Sequence, residues 1–249
     1  YDKKSKIDKG VFYTPPPVVN FICNATNHLL RTNFNQTFAD EDVKTLDFAS
    51  GTGTFLLEIS KLIINSIKNK VSKINKIQNH ILKNLFGFEI LIAPYTISHL
   101  KLSQYLSSID YKLRDEDKFQ IILTNTLENK QSKKYYILPS LTNESVTAER
   151  IKNEDILVVL GNPPYNVKSK NNGAWIKNLI DDYREIIKDP YNVRSEIESL
   201  KERNPKSLQD DYVKFIRFAH NKILNNKNGG IISVITNSRF IENPTFRGM

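Results

Sequence analysis

The feature that most restricts this chain is the placement of five short apolar runs. They are VKTLDFA at 43–49, NLFGFEI at 84–90, FQIILTN at 119–125, DILVVLGN at 155–162 and GGIISVITN at 229–237. Their nearly continuous apolar character marks strands covered on both faces. They lie too far apart for hairpins, and the sequence between them has helical periodicity. At 54–69, Phe55, Leu56, Ile59, Leu62 and Ile63 fall on one helix face. The segments 93–108 and 208–224 repeat that pattern, 71–83 adds a further helix, and 15–30 opens with prolines where a helix start tolerates them. Strand and helix in alternation predict an α/β fold, an open and mostly parallel sheet with helices on both faces. Two stretches break the rhythm. The polar segment 129–153 reads as a loop or small excursion. The charged segment 166–206 reads as a long loop with helical content near 175–188 and 194–203.

The chain has 249 residues, enough for one large domain without disulfides or metals. Its lone cysteine, Cys23, excludes an internal disulfide framework and fits a reducing cytoplasm; it reads as a small buried apolar residue, since no neighbouring base is evident. No apolar run approaches the ~20 residues that a membrane helix needs, and no signal peptide is visible. The first residue is Tyr1 and the only methionine is Met249, which leads us to expect an internal fragment of a longer polypeptide. Lysine and arginine exceed the acids by 36 to 27, a formal charge of +9. That balance favours a polyanionic partner, nucleic acid foremost, although solubility alone also uses surface lysines.

LDFASGTGTFLLEI at 46–59 is a strand, a tight glycine turn and a helix start. Gly51 and Gly53 allow backbone angles closed to other residues and a close approach to the main chain. The amides of the following helix start would point at a ligand. Asp47, near the strand end, could hold a cationic group such as an ammonium. The dinucleotide pattern lacks its third glycine and no GK[ST] is present, so neither NAD nor a phosphate loop fits. A glycine turn that merely joins strand to helix is the alternative. Glu89 ends the second strand, where an acid commonly holds ribose hydroxyls. It stands farther from the glycine turn than usual, and the extra helix at 71–83 accounts for the gap. Alone, it could equally be a solvated carboxylate.

The fourth run stops abruptly at Asn162-Pro163-Pro164-Tyr165. At the carboxyl end of a parallel sheet, such a stop faces the ligand crevice. The prolines fix their own φ and hold Asn162 extended. The Asn162 amide oxygen and the Pro163 carbonyl are then neighbouring acceptors suited to one amino group, with Tyr165 as a stacking face. A Pro-Pro loop with an exposed tyrosine is the plainer alternative. His28, His80, His99 and His220 have neither metal-ligand spacing nor a nucleophile beside them, so no metal site is expected.

GVFYTPPPVVNFI at 10–22, DFASGTGTF, GFE, GNPPY, DDYVKFIRFA at 210–219 and GGIISVITNSRFI at 229–241 occur in the order found in γ-class amino-methyltransferases. The chain resembles the N6-adenine DNA methyltransferases of restriction–modification systems, most of all the methylase region of single-polypeptide type IIG and type I enzymes. The resemblance runs from about residue 9 to the end. It implies a Rossmann-like S-adenosylmethionine-dependent fold with strand order 3-2-1-4-5, truncated after about the fifth strand. Residues 1–32 would form an N-terminal helical cofactor motif, 43–128 a cofactor-binding half and 155–249 a catalytic half containing the 166–206 loop.

By the same resemblance, Tyr13, Thr14 and Pro15 match the N-terminal cofactor motif, with Thr14 meeting the methionine carboxylate. Asp47, Ala49, Ser50, Gly51 and Gly53 match the methionine-binding turn, and Glu89 the ribose-binding acid. Asn125 stands where the family usually has an adenine-contacting acid, a departure in type. Phe48 replaces a common proline. Asn162, Pro163, Pro164 and Tyr165 match the catalytic loop, to which an adenine flipped out of duplex DNA would present N6. The last strands, a late aromatic and the target-recognition domain would lie beyond Met249. No nuclease constellation is present: Glu128-Asn129-Lys130 has only its tail. Nuclease and translocase parts are expected elsewhere in the full polypeptide. Methyl transfer to RNA or to a protein glutamine amide remains an alternative, as does a cofactor- or DNA-binding fragment without turnover.

Overall fold

The computed structural model describes residues 14–129, 139–187, 197–200 and 205–249. Tyr13 lies outside these residues, as do parts of the 129–153 and 166–206 segments. The first helix, Pro16–Phe34 (α1), follows extended Pro15 and has proline in its first turn. It ends at Asn35 in the left-handed conformation, φ 54°. Then come Thr45–Asp47 (β1), Thr54–Asn65 (α2) and Lys70–Lys76 (α3). The last continues through a π-helical turn, Ile77–Ile81, and a short helical turn, Leu82–Asn84. Leu85–Glu89 (β2), Ile92–Ser108 (α4), Gln120–Leu123 (β3) and Pro139–Asn153 (α5) follow. The chain goes on with Val158–Gly161 (β4), Ala174–Asp181 (α6), Glu185–Ile187 (β5) and Ile197–Ser199 (β6). Asp211–Leu224 (α7), Ile231–Val234 (β7) and Arg239–Glu242 (α8) complete it.

The sheet order is β3-β2-β1-β4-β7, every pair parallel. Counting sheet strands alone, this is the expected 3-2-1-4-5. Successive residues of each strand face opposite layers, as the pleat dictates. Leu85, Ile121, Val158, Leu160 and Ile231 pack with α1, α2 and α4 through Cys23, Leu30, Phe55, Ile59 and Leu102. Leu46, Phe86, Phe88, Ile122 and Val159 pack with α5, α6 and α7 through Ile151, Ile176, Phe215 and Phe218. Two apolar layers on one sheet explain why the strands read as continuous apolar runs. Cys23 is fully buried, and burial pushes its thiol upward, away from reactivity.

The structure corrects several boundaries. The strands are shorter than the apolar runs, and the carboxyl ends of the runs bend into the loops that build the site. Residues 139–153 form a helix rather than a loop. Ala148 and Ile151 are its apolar contacts, and Glu144 accepts from the outward Leu123 N–H of edge strand β3 at 2.9 Å. Near 175–188 the helix ends at Asp181, where Arg217 bonds the Leu179 carbonyl and pairs with Asp182. The chain then turns into β5, which pairs antiparallel with β6 inside the expected 194–203 helix. The β-branched isoleucines of Glu185–Ile187 suit a strand better than a helix. At 208–224 a 3-10 turn, Pro205–Gln209, precedes α7, whose cap is Asp210. Among the described residues, no helix is long and apolar enough to cross a membrane.

Candidate active site

The turn after β1 is built on main-chain bonds. Gly51 and Gly53 take φ of 52° and 72°, and Gly53 N–H donates to the Ser50 carbonyl at 2.7 Å. Ser50 N–H donates to the Phe88 carbonyl at 2.8 Å, joining the turn to β2. Glu89 closes the arrangement. Its carboxylate accepts from Gly51 N–H at 2.8 Å and from Leu91 N–H at 2.7 Å, so one acid spans the loops after β1 and β2. A Cβ on Gly53 would stand 2.8 Å from Ser98 Cβ, so this position also lets α4 lie against the turn.

Asp47 is completely buried, and one oxygen accepts from Ala49 N–H at 3.2 Å. Its other oxygen, Oδ2, has no hydrogen-bond partner. Burial, seconded by the nearby Glu89 charge, pushes the carboxyl up to about 8. A buried acid with an orphaned oxygen fits a cationic donor, which would satisfy the atom and restore its charge.

The second half of the site begins at Gly161. A Cβ there would meet the Phe48 ring at 2.9 Å and Asp47 Oδ1 at 3.0 Å. Only glycine lets β4 end this close to β1. Asn162 follows: its Nδ2 donates to Thr14 Oγ1 at 3.1 Å, while its Oδ1 is buried without a partner. Tyr165, half-buried, donates its hydroxyl to the Ile235 carbonyl at 3.0 Å and lies 5.8 Å, centroid to centroid, from Tyr212. Asp210 holds the exit of the loop, accepting from Asn166 N–H at 3.0 Å.

Of the residues singled out from sequence, Asp47, Ala49, Ser50, Gly51, Gly53 and Glu89 come together at the ends of β1 and β2. Asn162, Pro163, Pro164 and Tyr165 follow β4 beside them, and Thr14 and Pro15 reach them from the start of α1. Asn125 lies in the turn after β3. Its Oδ1 accepts from Leu127 N–H at 3.0 Å and its Nδ2 donates to Asn171 Oδ1 at 2.9 Å. Tyr13 lies outside the described residues. Sequence reasoning missed several supports. Thr126 donates to the Phe48 carbonyl at 2.6 Å, fastening the β3 turn to the glycine turn. The Lys152 ammonium bonds the Asn125 carbonyl at 3.0 Å and also the Glu128 carbonyl, and burial lowers its pKa to about 8. Asp210 was visible within DDYVKFIRFA, but nothing in the motif gave it a role.

The 166–206 segment starts firmly held. Ser169 and Asn171 bond Asp211, and Lys214 bonds Ser169 and Asn171. Its described residues lie beside α7, on the layer reached from the catalytic loop. Among the histidines, His80 is buried against the Phe38 carbonyl and His99 lies between Tyr95 and Phe119. Among the described residues, no group of three His, Cys, Asp or Glu side chains could hold a metal.

The profile of the N-6 DNA methylase family matches residues 1–215. Among solved structures, the chain resembles DrdV in a complex with DNA at 28% identity and TM-score 0.74 over 100% of this chain and 22% of that one. It resembles LlaBIII, an ATP-dependent type ISP restriction-modification enzyme bound to DNA, at 24% identity and TM-score 0.74 over 96% of this chain and 15% of that one. A modification subunit of a putative type I restriction enzyme from Vibrio vulnificus YJ016 shares the fold at TM-score 0.56 and 19% identity, over 95% of this chain and 36% of that one. The chain thus spans about a fifth of DrdV's length and less of LlaBIII's. No curated protein matches it significantly.

Proposed function

Because the chain belongs to the N-6 DNA methylase family, we propose that it forms the catalytic centre of an enzyme that methylates N6 of adenine in duplex DNA, with S-adenosylmethionine as donor. The observation that carries this reading is the Asn162 side chain. Thr14 engages its nitrogen, so the amide cannot turn freely, and the oxygen is left buried and unbonded at the end of β4. Such an atom awaits a donor. The amino group of an adenine flipped out of the helix is a donor of the right kind. Asn162 Oδ1 and the Pro163 carbonyl would accept its two hydrogens, orient its lone pair and stabilise the positive charge that develops on nitrogen. Tyr165 would stack on the base. Pro164 keeps the segment from folding back into a ladder.

Bound S-adenosylmethionine supplies an electrophilic methyl on a sulfonium. The residues present fit it. Asp47 Oδ2 would take its ammonium, Thr14 its carboxylate beside Tyr13 and Pro15, and Glu89 its ribose hydroxyls. Ala49, Ser50, Gly51 and Gly53 would form the wall under the methionine, and Asn125 would meet the adenine. The positive charge and the DNA-bound state of DrdV support duplex DNA as partner. The reading also places the chain within a restriction–modification system in the cytoplasm. The lengths of DrdV and LlaBIII leave room for nuclease, translocase and target-recognition parts.

The test is single-turnover methylation of a duplex by the full-length protein with tritiated donor, then digestion to nucleosides. N6-methyladenosine should carry the label as its deoxynucleoside. Asn162→Ala should slow transfer by ~10²-fold or more, with donor affinity nearly unchanged. Unchanged transfer, or label in another nucleoside, overturns the assignment. Lost donor binding with intact chemistry per bound donor would make the loop a cofactor element.

A further inference from the structure

Asn171 uses its side chain and main chain together. Its amide oxygen accepts from Asn125 Nδ2 at 2.9 Å, and its amide nitrogen donates to Asp211 Oδ1 at 2.9 Å. Its backbone N–H donates to Ser169 Oγ at 3.1 Å, and its carbonyl accepts from Lys214 Nζ at 2.6 Å. The partners come from remote parts of the sequence: Asn125 is 46 residues away and Asp211 is 40. One residue thus joins the turn after β3, the segment following the catalytic tetrapeptide and the first turn of α7.

The chemistry fixes the direction of every bond. An ionised carboxylate only accepts, so Asp211 draws the nitrogen end of the Asn171 amide towards itself. The oxygen end must then face Asn125. Asn125 answers with its nitrogen, and its oxygen turns to Leu127 N–H at 3.0 Å. A single charge therefore orients two amides in series. Asp211 and Lys214 are themselves buried, and both bond Ser169 Oγ, at 2.5 and 2.8 Å. Two buried charges bonded through the same hydroxyl form a rigid anchor, because loosening either would leave it uncompensated.

We propose that Asn171 is a positioning residue that couples the cofactor-side turn to the catalytic loop, holding Asn125 in the orientation that receives the adenine ring of the methyl donor. The inference rests on the methyl-transfer reading and deepens it. A donor held by Asn125 favours the seated loop, and the seated loop favours the donor by the same factor.

A double-mutant cycle on donor affinity tests this, in the full-length protein, by calorimetry with S-adenosylmethionine. Asn125→Ala and Asn171→Ala should each weaken binding, roughly three- to thirty-fold for a lost part-buried hydrogen bond. The double variant should bind no worse than the weaker single variant, because both substitutions break one chain of bonds. A merely structural role would lower thermal stability while leaving the two effects on affinity independent. If Asn171→Ala does not fold, Asn171→Ser replaces it, since its hydroxyl keeps a polar group beside the buried Asp211 carboxylate while the bond to Asn125 is lost. Unchanged affinity in the Asn171 variant, or losses that multiply in the double variant, overturn the inference while methyl transfer stands. A wild-type protein that binds no S-adenosylmethionine overturns both.

Discussion

The turn after β1 and the tetrapeptide after β4 end adjacent strands, yet they are held by different means. The glycine turn is fixed by backbone groups and by Glu89, a residue on the neighbouring strand. The tetrapeptide and the residue after it are fixed by groups from elsewhere in the sequence: the Thr14 side chain on Asn162, the Asp210 side chain on the Asn166 N–H, and the Ile235 carbonyl on the Tyr165 hydroxyl. A surface made by main-chain amides needs only a few glycines and one acid, so it survives much change around it. A loop held by distant side chains can be displaced by a substitution far away in sequence. The first region should therefore fail through binding, the second through turnover.

The strongest challenge to that division is Glu89→Ala. It removes an ionised acceptor from two amides and should weaken donor binding by about 1–3 kcal/mol. Calorimetry on folded variant decides it: if only thermal stability falls, Glu89 is a brace between loops and not part of a binding surface.

A pH series tests the same region without a substitution. The carboxyl of Asp47 is pushed up to about 8 by burial, whereas an unfolded aspartate titrates near about 4. The folded chain then holds this proton more tightly than the unfolded chain. That contribution to stability is complete below about pH 4 and fades as pH rises towards 8. An ammonium beside Asp47 reverses the preference, so donor binding releases a proton. Affinity should rise by at most about tenfold per unit between roughly pH 5.5 and 7.5. Calorimetry in buffers of different ionisation enthalpy reads the released proton directly. A flat profile without proton release removes Asp47 from the ammonium site.

The smallest effect is that of the Tyr165 hydroxyl. The sequence marks Tyr165 only as a stacking face, but its hydroxyl is bonded to the Ile235 carbonyl. Tyr165→Phe should cost about 0.5–1.5 kcal/mol in the transfer step, against about 1–3 kcal/mol for Tyr165→Ala through lost stacking. Rates for wild type and Phe that coincide would show that the anchor to β7 contributes nothing to the chemistry.

Much of the fold was legible because its signals are local. A strand buried on both faces is apolar at most positions, so 84–90 and 155–162 stood out. Gly51 and Gly53 were legible because few residues accept a positive φ. Segment 139–153 was not: α5 is mostly polar, and its place depends on Ala148, Ile151 and the reach of Glu144 to β3. The β5–β6 hairpin was hidden because three-residue strands leave too little pattern. Within the site, Asp47, Glu89 and Asn162 follow from their positions at strand ends. Asn171, Asp211 and Lys152 could not be found that way, since their roles exist only once β3, α5 and α7 have been packed together.

The reach of Glu144 has a consequence for how this protein behaves in company. Strand β3 lies at one margin of the sheet, where outward amides would ordinarily invite a foreign strand. The Leu123 amide is instead committed to a carboxylate of its own chain, and Tyr95 donates to the same acid at 3.3 Å. A neighbouring molecule would have to evict a charged side chain before it could extend the sheet there. The polar helix that looked like an interruption thus covers part of the β3 edge.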